Sequence, residues 1–257
     1  MIAQPLGDYV FFLARIFFVV LGCGAVVWGA VEFPIFWQES LPERIANRIT
    51  AGEQFKFDIL AKQLSIVERI DKSAYCRPSV TRSAAIIRLR LLEQRSPESS
   101  SASSDAQDLQ ASIEKSLACA PSNPFFWSVL YWLSGQTSSR VPPDYLRLSY
   151  KLGPNEGWIA LRRNRLAFTL FEKLPKDLQK SAIAEFVRLL NNDFEPNGGL
   201  YAAVLDILVG PAWQVRDRIT PYLMNLPRRN RESLVRDLSA KGFDLALPGV
   251  KQPEQTR

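Results

Sequence analysis

Apolar positions along this chain fall into two regimes, a continuous run near its start and a helical rhythm after it. From Tyr9 to Val31 the sequence reads YVFFLARIFFVVLGCGAVVWGAV, with Arg15 as its only charge. At 1.5 Å per residue such a run reaches about 34 Å, enough to cross a hydrocarbon core of about 30 Å. Residues 10–31 are therefore expected to form a transmembrane anchor, residues 1–9 a cytoplasmic start and residues 32–53 a juxtamembrane connector. Arg15 lies near one end, where a long side chain can snorkel to the headgroups, and Trp28, Phe36 and Trp37 mark the other end as an aromatic belt. A cleaved signal peptide fits less well, because the run is long and Trp28 occupies the −3 position before Ala30. A buried core helix of this length and composition is the weaker rival.

Beyond Pro42 the hydrophobic period is close to 3.6, the spacing of helices with one face turned inward. Phe57, Leu60, Leu64, Val67 and Ile70 form one stripe. Val80, Ala84, Ile87 and Leu91 form a second, within a helix expected over 79–95. The serine-rich segment 96–105 reads as a flexible surface loop before Leu109, Ile113 and Leu117 resume the spacing. Pro175 suits the first turn of a helix with Leu178, Ala182, Phe186 and Leu190 on its face. Leu200, Val204 and Leu208, then Val215, Ile219 and Tyr222, then Leu234 and Leu238 supply three more. About nine or ten helices are expected, within one domain over 54–240, with 241–257 as a frayed tail.

A repeat runs through the middle of the chain. ASIEKSLACAPSNPFFWSVLYWL places helix, Ala-Pro and helix in order, and YLRLSYKLGPNEGWIALRRNRLAF repeats the plan with Gly-Pro. Pro121 and Pro154 are 33 residues apart, and Trp127 and Trp158 are 31 apart. Proline ends one helix because it cannot continue the hydrogen-bond ladder, and an early aromatic can fill the gap between neighbouring hairpins. A third, degenerate unit starts near Pro196. A period near 34 resembles tetratricopeptide repeats. The expected fold is all-α, one transmembrane helix followed by a right-handed stack of helical hairpins in a tetratricopeptide-like α-solenoid.

Composition narrows the chemistry. No histidine occurs in 257 residues, which excludes Ser-His-Asp and Cys-His hydrolases and any His-ligated zinc site. Lysine and arginine total 32 against 26 acidic residues, a basic but mixed surface that permits anionic partners without requiring them. Near the anchor, Arg15 within the run's first two turns and the terminal amine stand against Asp8 at one end, while Glu32, Glu39 and Glu43 follow the other end before Arg44 and Arg48, which favours a cytoplasmic start and an exported helical domain. Of three cysteines, Cys23 lies in the apolar run. Cys76 and Cys119 could be two unrelated buried thiols, or one disulfide in an oxidising compartment. The bridge, closing 43 residues, is the reading we carry forward.

Acidic pairs such as Glu156 with Glu172, or Asp193 with Glu195, have no spacing that separates them from solvated helix ends. No phosphate-cradling glycine pattern occurs. No catalytic residue, cofactor or metal site is expected. Arginine with nearby tryptophan suits acidic sugars or a partner's carboxylates, since the guanidinium offers a planar fork. Trp127, Trp158, Arg162, Arg163 and Arg165 are thus the candidate ligand or partner residues, against the plainer reading of solvated faces and local ion pairs.

SAYCRPSVTRSAAIIRL, the Ala-Pro-x-x-Pro-x-x-Trp and Gly-Pro-Asn-Glu-x-Trp turns, and LPKDLQKSAIAEFVRLL together resemble membrane-anchored helical proteins of bacterial exopolysaccharide and capsule clusters. The likeness spans roughly residues 60–192. It implies a tetratricopeptide-like accessory factor, and a process more than a reaction. The expected function is a non-enzymatic scaffold in the bacterial inner membrane, with its helical domain in the periplasm. Its partners would be the lipid bilayer, envelope proteins and acidic polysaccharide, and not nucleic acid. A carbohydrate-binding or carbohydrate-modifying protein, or a cytoplasm-facing assembly factor, is the alternative.

Overall fold

The computed structural model describes residues 6–95, 102–137, 142–192 and 199–251. Among them there are twelve α-helices and no strand. The chain divides into two compact units, the first ending at Ala120 and the second beginning at Pro121, where the sequence led us to expect one helical domain.

The first unit opens with α1 (Leu6–Thr50). Its stretch Phe11–Phe33 is long and apolar enough to cross a membrane, and none of it is buried within the protein. The expected connector is not a separate segment, because the helix runs on to Thr50. Pro34 and Pro42 each remove one donor from its ladder, yet the helix continues because Ile45, Ala46 and Ile49 form an apolar stripe that packs on the unit's core.

Then follow α2 (Phe57–Ala61) and α3 (Leu64–Lys72), two short helices where one stripe predicted a single element. Lys62 and Gln63 form the turn between them, and Gln63 is buried. The stripe survives the break, since Leu60, Val67 and Ile70 all bury against α4 (Pro78–Gln94). Helix α4 is the unit's centre and packs against α1, α2, α3 and α5 (Ala102–Cys119). Small residues on it, Ser83, Ala84 and Ala85, let neighbours approach closely, while Val80, Ile87 and Leu91 fill the space between. Each large apolar side chain so buried contributes about 1.5–3 kcal/mol. Residues 96–101 of the expected loop lie outside the described residues, and its remainder, Ala102–Asp105, is the first turn of α5.

The second unit contains α6 (Pro124–Thr137), α7 (Pro143–Leu152), α8 (Gly157–Thr169), α9 (Lys176–Asn192), α10 (Gly199–Val209), α11 (Arg216–Leu223) and α12 (Arg228–Ala240). Helix α6 pairs with α7, and α8 with α9. Helix α8 also touches α6 on one side and α10 on the other, while α9 touches both α7 and α11. The predicted face Leu178, Ala182, Phe186 and Leu190 is buried in full.

The tail departs from expectation as far as it is described. Gly242, with φ of 81°, ends α12 in a left-handed turn that favours glycine, and the Phe243 amide donates back to the Leu238 carbonyl at 3.0 Å. That reversal brings Leu245 and Leu247 into the core beside Leu234 and Leu238. Residues 252–257 lie outside the described residues.

Candidate functional site

Both repeated turns are built by close backbone contact. Asn123 caps α6, its Oδ1 accepting the amides of Phe125 and Phe126 at 3.1 and 3.3 Å. The Ser149 hydroxyl on α7 donates to the Pro124 carbonyl at 2.7 Å. A β-carbon on Gly153 would come within 2.6 Å of the Pro124 ring, so only glycine lets the turn after α7 lie against the start of α6. Helix α8 starts four residues later.

On α8 the residues divide cleanly into two faces. Ile159, Ala160, Arg163, Asn164, Ala167 and Phe168 are buried. Trp158, Arg162 and Arg165, at helical spacing of four and three, point to solvent. The Trp158 ring lies 5.1 Å from that of Phe125 and keeps 45% exposure, while the Arg162 guanidinium sits 5.5 Å above the same Phe125 ring. Phe125 thus links an indole and a guanidinium into one exposed patch with Arg165 one turn on. Such a patch can stack on a planar or sugar face and pair with carboxylate.

Trp127 stands elsewhere. Half-buried on α6, it donates from Nε1 to the Pro121 carbonyl at 2.8 Å and packs 5.7 Å from Tyr145 of α7. Trp158 packs between hairpins and Trp127 within one, so the two sequence-equivalent tryptophans do different jobs.

Arg163 is not a surface residue. Its side chain is 0% exposed, and Glu185 on α9, at 2%, receives it. Arg163 Nε donates to Glu185 Oε2 at 3.0 Å, and Nη2 donates to Glu185 Oε1. Nη1 donates to the Ser149 carbonyl and hydroxyl at 2.6 and 3.0 Å, and Nη2 also reaches the Gly153 carbonyl at 2.8 Å. The guanidinium lies 4.4 Å over the Tyr150 ring. Asn164 Nδ2 adds a bond to Glu185 Oε2 at 2.9 Å. Burial, with the Glu185 charge second, pushes the Tyr150 hydroxyl far above the usual phenol range and keeps it neutral. Every guanidinium nitrogen is engaged, so Arg163 ties α7, the α7–α8 turn, α8 and α9 together and offers nothing to a ligand.

Glu185 is the residue that sequence reasoning missed. Its signal was available, since Ala160, Arg163, Asn164, Ala167 and Phe168 keep the spacing of an inward stripe with two polar members. A buried arginine requires a buried acid, and Glu185 sits beside Phe186 and Leu189 on the apolar side of its helix. Glu185 also floors an open cleft of about 330 Å³ rimmed by Asn155, Arg188 and Leu200.

Elsewhere arginines pair with nearby acids. Arg88 pairs with Asp71 at 2.9 Å, Arg90 with Glu93 at 2.9 Å and Arg228 with Glu232 at 2.7 Å. Glu172 pairs with Arg218 of α11 at 3.2 Å, Glu156 stands just before α8, and Asp193 and Glu195 lie outside the described residues. Cys76 and Cys119 lie at bonding distance, with Cα atoms 5.5 Å apart, and Cys23 is exposed on the apolar stretch of α1. No group of three metal-ligating side chains occurs among the described residues. Compared with protein-family models, curated proteins and solved structures, the chain matches none.

Proposed function

We propose that this chain is a single-pass, membrane-anchored helical-repeat scaffold of a bacterial cell-envelope assembly that makes or exports polysaccharide, acting by binding and not by catalysis. The observation that carries the reading is the order of packing in the second unit. Helices α6, α8 and α10 neighbour one another in turn, as do α7, α9 and α11. That alternation is what a right-handed, tetratricopeptide-like stack of hairpins would produce, and such stacks present one face to a peptide or protein. The apolar stretch Phe11–Phe33 supports the anchor. The paired positions of Cys76 and Cys119 support an exported, periplasmic domain of an inner-membrane protein, since a bridge persists in oxidising compartments.

Trp158, Arg162 and Arg165 are the docking residues in this reading. A photo-crosslinking amino acid at 165 of the full-length protein, in native membranes, tests it. A discrete protein adduct that disappears with Arg162→Glu supports the scaffold. Absence of any protein adduct, with the protein folded in the membrane, overturns it. Fusing an export-dependent phosphatase and, separately, a cytoplasm-dependent fluorescent protein after Arg257 tests the orientation. Fluorescence without phosphatase activity would make the chain a cytoplasm-facing assembly factor.

The Trp158–Phe125–Arg162 patch favours one second reading, a carbohydrate-binding protein. An acidic oligosaccharide that raises the melting temperature in wild type, and not in Trp158→Ala, would establish it.

A further inference from the structure

The first unit carries its own measure of height above the membrane. Glu39 on α1 pairs with Arg77, the residue just before α4. At the other end of α4, Arg90 and Gln94 donate to Gln54 and to the Phe55 carbonyl, just past the end of α1. The two helices therefore run side by side in the same direction, away from the apolar stretch. Helix α5 returns, with Arg88 meeting Asp108 at 3.3 Å and Cys119 meeting Cys76. The end of the unit that faces the apolar stretch is thus the α3–α4 loop, residues 73–77, together with Cys119.

We infer that this loop is a second membrane contact, with Tyr75 seated among the lipid headgroups beside the point where α1 leaves the bilayer. The inference rests on Phe11–Phe33 crossing that bilayer. Trp37 is 67% exposed and continues the apolar surface past Phe33, where tryptophan marks the interface. Glu39 follows it by only about 3 Å of helical rise, with no proline between them. The headgroup layer is roughly 5–8 Å deep on each side. Counted from Phe33, Glu39 stands about 9 Å along the helix, so Arg77, tied to it, is held at the outer edge of that layer, and Tyr75 two residues away with it.

Tyr75 is 79% exposed, more than any large hydrophobic residue of the apolar stretch itself. A tyrosine, with an apolar ring and a polar hydroxyl, is well suited to an interface that is apolar on one side and wet on the other. Its neighbourhood suits anionic headgroups, since Arg69 and Lys72 are exposed on the last turn of α3. The loop is also built to stay in place. Lys115 Nζ donates to the carbonyls of Ile70, Asp71 and Ser73 at 2.6, 2.7 and 2.5 Å, and Cys119, one turn further along α5, holds Cys76.

A small fluorescent amino acid at position 28, 75 or 94 of the full-length protein in phospholipid nanodiscs, with nitroxide on either the headgroup or the acyl tail, tests this. Position 94 lies about 25 Å further along α4 and serves as the remote reference. The expected result is headgroup quenching at 75 several-fold stronger than at 94. Equal quenching at 75 and 94, with 28 quenched by tail nitroxide, overturns the loop contact and leaves the anchor standing. No tail quenching at 28 overturns the anchor and the loop contact together.

Discussion

Arg163 and Glu185 meet in the interior of the second unit, and together with Ser149, Gly153 and Asn164 they leave no guanidinium nitrogen and no carboxylate oxygen without a partner. Two charges taken out of water are tolerated there because each is matched, and the match holds three helices and a turn in register.

Breaking that match should be expensive. Glu185→Gln or Arg163→Met is expected to cost about 3–5 kcal/mol of unfolding free energy, because each leaves a buried charge uncompensated. The double variant Arg163→Met with Glu185→Gln should cost clearly less than the two singles combined. Urea unfolding followed by circular dichroism measures all three. Additive losses would show that the two residues act independently.

Cys76→Ser should lower stability under oxidising conditions by about 4 kcal/mol on the loop-entropy model for 43 closed residues. Under strong reductant the wild type and the variant should melt together. A wild type indifferent to reductant, with free thiols at 76 and 119 by mass spectrometry, would rule out the bond.

Glu39 gives a pH signature. Burial raises its carboxyl above the usual value, and outweighs the opposing pull of Arg77. A raised folded-state pKa means the folded protein holds this proton more tightly than the unfolded chain. Its contribution is complete below the ordinary glutamate range and is lost as pH rises through the folded value. Relative to Glu39→Gln, the wild type should therefore gain stability on acidification from neutral pH to below about 4. Paired melting curves over that range check the sign, and a wild-type advantage that shrinks on acidification would contradict it.

Gly153→Ala should destabilise by about 1–3 kcal/mol, because its β-carbon would be forced to 2.6 Å from the Pro124 ring. Gly157→Ala is the control, since the nearest atom there stands at an ordinary 3.9 Å. Thermal melting of the two variants should separate them.

Much of the local structure was legible because it depends on neighbours along the chain. Val80, Ala84, Ile87 and Leu91 share a face through helical period alone, and they are buried together. The apolar run from Tyr9 onward likewise states its length and composition without reference to anything else. Tertiary structure decided what depends on partners far away in sequence. Arg163 reads as one more surface arginine until Glu185, 22 residues on, is brought against it. Residues 32–53 read as a juxtamembrane connector until α4 supplies a surface for Ile45 and Ile49, and Leu245 and Leu247 look frayed until Gly242 turns them onto α12. Helical periodicity reports which side of an element is apolar. Whether a charge is buried, a connector helical or a tail docked depends on the free energy of contacts that only the assembled fold creates.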